Sequence, residues 1–152
     1  MEKIQDLFYV SPVGSKIILG VTLVIFFILV VFFSIRFSRS IKEAAQNNGR
    51  SNKYLAAVPA EKIGTVNAVY LNTRKSLPGA MLLALLGGAF GLQRAYLGKR
   101  KSAMVLFLFF WTGIPTIISL FDLTDMPKTV SEYNLGVVES LYNQLAAPEI
   151  DR

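Results

Sequence analysis

Apolar residues are gathered along this chain into three long blocks, which short polar and basic stretches separate. The first block, residues 16–36, has about the ~20 residues that a helix needs to cross a hydrocarbon core of ~30 Å. The second and third blocks, residues 77–93 and 102–121, are joined by a short basic turn, residues 94–101. The pattern predicts an all-α integral membrane protein with one N-terminal anchor helix and a two-helix hairpin.

The first block is expected to be a retained anchor. Its apolar run ends at Ile35, and Arg36 and Arg39 come directly afterwards, where a signal peptide would carry a small-residue cleavage site. Both basic side chains suit the anionic headgroups of the membrane surface. The helix is expected to continue past the membrane and to end at Asn47, Asn48 and Gly49.

The stretches outside the three blocks predict short amphipathic helices outside the bilayer. Residues 1–15 suit either an interfacial helix or a frayed terminus. Residues 37–76 are interpreted as a polar, basic linker with one short helix, and residues 135–152 as an amphipathic tail that ends at Pro148. Because the polar face of the tail has few basic residues, we expect the tail to pack on the linker or on a partner.

The second block is short for a span and rich in small residues. Small side chains recur at every fourth position, which lets helix backbones approach closely in a membrane. Packing within a bundle of three segments is the favoured use of these stripes, and a face for homo-oligomers stays open. The helix-packing candidates are Ala80, Ala84, Gly87, Gly88 and Gly91.

The third block contains a proline and the single tryptophan of the chain. Pro115 cannot donate a hydrogen bond to the carbonyl of Trp111, so a kink is expected there. Trp111 would lie near the middle of the bilayer, where its indole N–H needs a partner. We therefore expect Trp111 to face protein and not lipid.

The composition excludes several kinds of site. The sequence has no Cys and no His, which excludes disulfides, cysteine-ligated iron–sulfur clusters, His-ligated haem and the usual zinc sites. It has no phosphate loop and no nucleophile paired with a base, so we expect no cofactor and no enzymatic activity. The net charge of +6 comes from basic residues that border the apolar blocks, which favours anionic lipids over nucleic acid as partners.

Asp122 and Asp125 close the third block, and we interpret Asp122 as half of an ion pair. In an antiparallel hairpin of two full spans, the end of the third block lies beside the start of the second. Asp122 is therefore expected to pair with Arg74 or Lys75 at the base of the hairpin. Arg94 is expected at the opposite end.

The basic turn supplies the candidate contacts to lipid or to a partner. Glycines flank it, and its tyrosine is of the type that settles at headgroup level. These candidates are Arg94, Tyr96, Gly98, Lys99, Arg100 and Lys101.

The residue sequence of this motif resembles that of the TM2 domain, a family of two-helix membrane hairpins found in bacteria and animals. The residues that carry the resemblance are Gly87, Gly88, Gly91, Arg94, Tyr96, Leu97, Gly98, Lys99, Asp122 and Asn134. Gln93 stands where the family usually has His, and Ala95 where it usually has Phe. The resemblance implies that residues 77–134 form a membrane hairpin that interacts with other proteins and has no established enzymatic activity.

Two topologies are open. Three full spans put residues 36–75 and 128–152, with eight and two Lys or Arg residues, on one side of the membrane. The chain up to Lys16 and the basic turn, with two and four, lie on the other side. The positive-inside rule then places the linker and tail in the cytoplasm. In the second arrangement the short second block enters and leaves on the same side, so that linker and turn share the cytoplasm.

These features favour a non-enzymatic accessory or scaffold subunit of a larger membrane complex, in a bacterial inner membrane. The alternative is an oligomeric pore or transport-associated protein. Against it, the apolar blocks have no ionisable residue at depth, where conduction pathways tend to show one.

Overall fold

The computed structural model describes residues 12–146, and helices occupy most of that range. Its α-helices are α1 (Pro12–Ala56), α2 (Ile63–Thr73), α3 (Leu77–Gly87), α4 (Leu92–Tyr96), α5 (Arg100–Leu108) and α6 (Ile114–Leu141). Gly88–Phe90 and Phe110–Thr112 are 3-10 turns, and Tyr142–Ala146 is a π-helical turn. Residues 12–146 contain no β-strand, so the all-α class is confirmed.

Two of the predictions lie outside the described residues. Of the proposed interfacial segment at residues 1–15, the structure describes residues 12–15, and these belong to α1. The expected end of the tail at Pro148 is beyond residue 146.

The chain forms two compact units, residues 1–35 and residues 36–152. In the first unit, α1 carries the first apolar block, and most of its large apolar side chains are exposed. Within residues 12–146, α1 is the one helix that is long and apolar enough to cross a membrane.

In the second unit, α1 continues much further than the sequence suggested. We expected the helix to stop at the Asn47, Asn48 and Gly49 cluster, and this was wrong, since α1 ends at Ala56. The Asn47 side chain donates a hydrogen bond to Ser131 Oγ of α6 at 3.1 Å. Tertiary packing therefore outweighs the weak helix propensity of this cluster.

The hairpin consists of three short helices, α3, α4 and α5, and the first part of the long helix α6. At a rise of 1.5 Å per residue, α3 and α5 are about 16 and 14 Å long, roughly half of a hydrocarbon core of ~30 Å. Gly91, Gly98 and Gly113, with φ of 70°, 77° and 74°, stand at the three breaks between α3, α4, α5 and α6. Glycine adopts this left-handed conformation at no steric cost, so each break is encoded in the sequence.

We expected Pro115 to kink a span, and this was wrong. It is the second residue of α6, where a missing N–H costs nothing because the N–H groups of the first helical turn have no intrahelical acceptors. The break comes from Gly113, and the helix starts afresh after it. Trp111 lies in the turn before this break and is 76% exposed, so it does not face protein within the chain.

The predicted tail is not a separate element either. α6 runs without interruption from Ile114 to Leu141, through the boundary that we had placed at residue 135. Pro127 lies inside α6 and was not singled out from the sequence. The N–H of the next residue, Lys128, donates to Ser40 Oγ of α1 at 3.0 Å, which ties the two helices together beside the proline.

Two hydrophobic clusters hold the second unit together. The first joins α3, α4 and α6 through Ala80, Ala84, Leu97, Met126 and Val130. The second joins the end of α6 to the segment after α1 and to α2 through Val58, Val66 and Leu141. The tail therefore packs on the linker, which is one of the two places where we expected it.

Candidate functional site in the polar network of the hairpin

An ion pair between Arg94 of α4 and Asp122 of α6 lies at the centre of the hairpin. Arg94 Nε is 2.7 Å from Asp122 Oδ2, and Arg94 Nη2 is 2.9 Å from Asp122 Oδ1, so the contact is bidentate. Arg94 Nη1 also donates to Ser102 Oγ of α5. The hydrogen bond to Asp122 raises the pKa of Arg94, and partial burial opposes this effect. Arg94 therefore stays charged at physiological pH and ties three helices together.

This pair corrects the sequence prediction. We expected Asp122 to pair with Arg74 or Lys75, with Arg94 at the other end of the hairpin. In the structure Asp122 binds Arg94, because the chain reverses near Gly91 and brings α4 back alongside α6. The prediction assumed that both segments of the hairpin span the whole membrane. Because α3 and α5 are short, Asp122 lies beside Arg94 and not beside Arg74 or Lys75.

Gln93 extends the network into the interior. Its side chain is buried, at 1% exposure, and its Nε2 donates to Ser119 Oγ at 3.0 Å and to Asp122 Oδ2 at 3.3 Å. Ser119 Oγ in turn donates to the carbonyl of Gly88 at 2.6 Å. Within residues 12–146, Gln93 Oε1 has no hydrogen-bond partner. The amide thus connects α4, α6 and the 3-10 turn that precedes Gly91.

A second polar contact closes the end of the hairpin where α3 begins. Asn134 Oδ1 accepts a hydrogen bond from the N–H of Lys75 at 2.7 Å, and Asn134 Nδ2 donates to the carbonyl of Lys75 at 3.0 Å. The Lys75 ammonium lies 4.7 Å from the centre of the Tyr96 ring and 5.8 Å from that of Tyr133, which are cation–π distances. The hydroxyl of Tyr96 accepts from the N–H of Ser76 at 3.2 Å. Lys75 therefore lies at the base of the hairpin, and its backbone groups bind Asn134, whereas Asp122 pairs with Arg94.

The remaining members of the predicted site lie on the surface. Arg74 lines a surface pocket with Asn48 and Asn52. The basic side chains of the turn after Gly98 are exposed: Lys99, Arg100 and Lys101. They are free to meet anionic groups outside the chain.

The small residues proposed for helix packing are buried inside the hairpin. Ala80 and Ala84 lie in the cluster with Met126 and Val130. A Cβ atom at Gly88 would lie 2.7 Å from Ser119 Cβ, and one at Gly91 would lie 3.1 Å from the carbonyl oxygen of Ala103. A Cβ atom at Gly87 would overlap the side chain of Leu92. These residues let α3 approach α4, α5 and α6 within one chain.

The sequence analysis missed a second ion pair. Arg36 of α1 binds Asp125 of α6 through two contacts, with Arg36 Nε 3.0 Å from Asp125 Oδ1. Lys128 lies near by and contacts Glu43 at 2.6 Å. In the sequence, the spacing of three between Asp122 and Asp125 was the available signal, since it places both carboxylates near one face of a helix.

The arrangement is suited to holding helices together. A cavity of about 330 Å³ lies beside Gln93, Arg94, Asp122, Asp125 and Thr129. Its two carboxylates are engaged by Arg94 and Arg36. Among residues 12–146, no group of three or more acidic, His or Cys side chains could hold a metal ion.

Comparison with known proteins supports the resemblance noted in the sequence. The family model of the TM2 domain matches residues 73–124. A relative from Bacillus subtilis (strain 168), named uncharacterized membrane protein YozV, is 38% identical over 50 residues. The match covers 33% of this chain and 63% of the relative. No solved structure matches the chain. The expected resemblance to the TM2 domain is confirmed for residues 73–124, and Asn134 lies beyond the matched range.

Proposed function

We propose that this chain, a membrane protein with a TM2 domain at residues 73–124, is a non-enzymatic accessory or scaffold subunit of a larger membrane complex. The observation that carries the proposal is the pairing of the charged groups at the centre of the hairpin. Arg94 and Asp122 bind each other, and Arg36 and Asp125 do the same. These charged groups stabilise the domain by pairing with each other and are therefore not available as catalytic groups.

The outer surface offers two kinds of contact. The exposed side chains of the hairpin are mainly apolar, and they include Leu86, Met104 and Trp111. The basic side chains of the turn and Arg39 are exposed as well. A subunit with this surface binds anionic headgroups through its basic residues and neighbouring membrane proteins through its apolar ones.

The cellular location is a further part of the proposal. The protein lies in a bacterial inner membrane, with the linker and the C-terminal part of the chain in the cytoplasm. The excess of Lys and Arg residues after Ile35 supports this orientation.

Site-specific photo-crosslinking in living cells tests the accessory role. A photoreactive amino acid replaces Phe26 or Phe27 of the first apolar block, which are exposed, and Leu106, which is buried, in matched variants. The proposal predicts one recurring heterologous membrane protein, crosslinked from the exposed positions and not from position 106. That protein must also co-purify with the unmodified chain at a fixed ratio.

Two other results would contradict the proposal. Crosslinks of the chain to itself alone, with a closed oligomer after mild solubilisation, would favour the oligomeric pore instead. Crosslinks to lipid alone, with a monomer in detergent, would rule out the accessory role.

A further inference from the structure

We propose that the TM2 domain enters and leaves the membrane from the same side, with its apolar tip inserted among the acyl chains of a single leaflet. The apolar tip is the end of the domain that holds the two 3-10 turns, Gly88–Phe90 and Phe110–Thr112, and the helical residues that lead to them. Its most exposed side chains are Leu85, Leu86, Met104, Leu108, Trp111 and Ile117.

The first argument is the distance between the ends of the apolar segments. In three full spans, the start of the second segment and the basic turn after it lie on opposite surfaces, ~30 Å apart. Here the N–H of Ser76, which precedes α3, is 3.2 Å from the hydroxyl of Tyr96 in the turn. The segment between them therefore goes in and comes back.

The third apolar segment also returns. Lys99 precedes α5, and it lines the same cavity as Asp125 and Thr129 of α6. Further along α6, the ring of Tyr133 lies 3.7 Å from the Cβ position at Gly98. Both segments thus begin and end at one polar end of the domain.

The length of the tip fits one leaflet. α3 has 11 residues and α5 has 9, so each is about 14–16 Å long, half of the ~30 Å hydrocarbon core. No charged residue occurs at positions 77–93 or 103–121. The charges begin at Arg94 and Asp122, where the two segments approach the polar end.

The turn at the far end of the tip satisfies its own backbone. Irregular backbone in the hydrocarbon region is tolerated only if its polar groups have partners. The N–H of Thr112 donates to the carbonyl of Phe109 at 3.0 Å, and that of Ile114 donates to Thr112 Oγ1 at 3.3 Å. Thr112 Oγ1 itself donates to the Phe109 carbonyl at 2.7 Å. The turn can therefore be surrounded by acyl chains without leaving these groups unpaired.

The distribution of basic residues indicates which side of the membrane holds the polar end of the domain. Arg36 directly follows the first apolar block in the sequence, and it binds Asp125 of α6. This places the polar end of the domain at the surface where the first block ends. Of the sixteen Lys and Arg residues, Lys3 precedes that block and Lys16 is its first residue, and the other fourteen then lie together on the other side of the membrane. Three full spans would place the four basic residues of the turn on the opposite side, so the single-sided arrangement fits the positive-inside rule better.

Cysteine labelling tests the topology, since the native chain has no cysteine. Single variants Asn52→Cys, Arg100→Cys and Asn143→Cys place thiols at exposed positions in the linker, the turn and the end of the chain. In inside-out vesicles we expect a membrane-impermeant maleimide to label all three, and in right-side-out vesicles none. Glu2→Cys serves as the control for the opposite side. Labelling of Arg100→Cys from the side opposite Asn52→Cys would overturn the proposal.

The fluorescence of Trp111 tests what covers the tip. Because Trp111 is the single tryptophan, its quenching by brominated acyl chains in vesicles reports on this position alone. We expect strong quenching, and strong quenching also for a matched Trp111→Phe, Leu86→Trp variant. Absence of quenching at both positions would mean that protein covers the tip, and the acyl-chain assignment would be wrong. Neither experiment depends on a partner protein, so their failure is distinct from failure of the accessory role.

Discussion

The side-chain amide of Asn134 binds both the backbone N–H and the backbone carbonyl of Lys75, which lies 59 positions earlier in the chain. Asn134 accepts from the Lys75 N–H at 2.7 Å and donates to the Lys75 carbonyl at 3.0 Å. These two backbone groups lie between α2 and α3, where no helix partner is available for them. The contact therefore fixes the start of the hairpin against α6.

Asn134→Ala is expected to destabilise the domain by about 1–3 kcal/mol, because it removes the hydrogen bonds of both the backbone N–H and the backbone carbonyl of the partly buried Lys75. Asn134→Asp keeps the acceptor and loses the donor, so its carboxylate faces the Lys75 carbonyl, and we expect a similar loss. Thermal unfolding in detergent, followed by circular dichroism, measures the change. The exposed Asn143→Ala is the matched control, and an equal effect of both alanine variants would contradict the role of Asn134.

The Arg94 and Asp122 pair is expected to contribute more to stability than the Arg36 and Asp125 pair. The first pair has side-chain exposures of 26% and 25%, and the second has 42% and 36%, so water screens the second more. We expect Asp122→Asn to cost about 2–4 kcal/mol, since it leaves a partly buried Arg94 without its charge partner. Asp125→Asn is expected to cost about 1 kcal/mol or less.

A double-mutant cycle separates the pair from its surroundings. Arg94→Ala combined with Asp122→Ala should cost clearly less than the sum of the two single changes, because the second removes a charge that the first left unpaired. Arg94→Lys should not restore stability, since lysine cannot make the bidentate contact. Additive effects in the cycle would show that the two residues do not interact in the membrane protein.

Gly88 and Gly136 differ in the space around them, which predicts opposite effects for the two glycine-to-alanine changes. A Cβ at Gly88 would lie 2.7 Å from Ser119 Cβ, so Gly88→Ala must push α6 away from the 3-10 turn, at a cost of about 1–3 kcal/mol. Gly136→Ala, inside α6 with open space around its Cβ position, should stabilise by about 0.5–1 kcal/mol. Unfolding midpoints of the two variants should move in opposite directions. A Gly88→Ala midpoint at or above that of the native chain would contradict the packing.

Much of the architecture was predictable because it depends on local patterns. We could predict from the sequence the apolar blocks, the anchor helix and the glycine-rich motif of the hairpin. The partner of Asp122 was not, because it depends on where the chain reverses. A glycine such as Gly91 is compatible with either a helix interior in a membrane or a left-handed turn, and the sequence alone does not distinguish the two.

Tertiary contacts account for the other differences. Asn47 and Gly49 are typical of a helix end, yet α1 passes through them because Asn47 and Ser40 bind side-chain and backbone groups of α6. Pro115 is typical of a kink in a span, yet it starts a helix because Gly113 has already broken the chain direction. In each case the local signal was real, and a contact from a distant segment decided its outcome.

Gly113 provides a test in which backbone strain acts without steric overlap. Its φ is 74°, and a Cβ atom there would meet nothing within 4 Å, so Gly113→Ala should cost only the strain of a left-handed alanine, about 1–2 kcal/mol. Gly113→Asn should cost less, because asparagine tolerates this conformation, and Gly113→Val should cost more, because β-branched side chains do not. Gly64→Ala in α2, which also has open space but no positive φ, is the matched control and should be neutral or stabilising. The order Asn, Ala, Val in falling unfolding midpoint indicates a left-handed turn at the tip of the hairpin. If all three variants behaved like Gly64→Ala, α5 and α6 would form one continuous helix, and the short arms of the domain would be wrong.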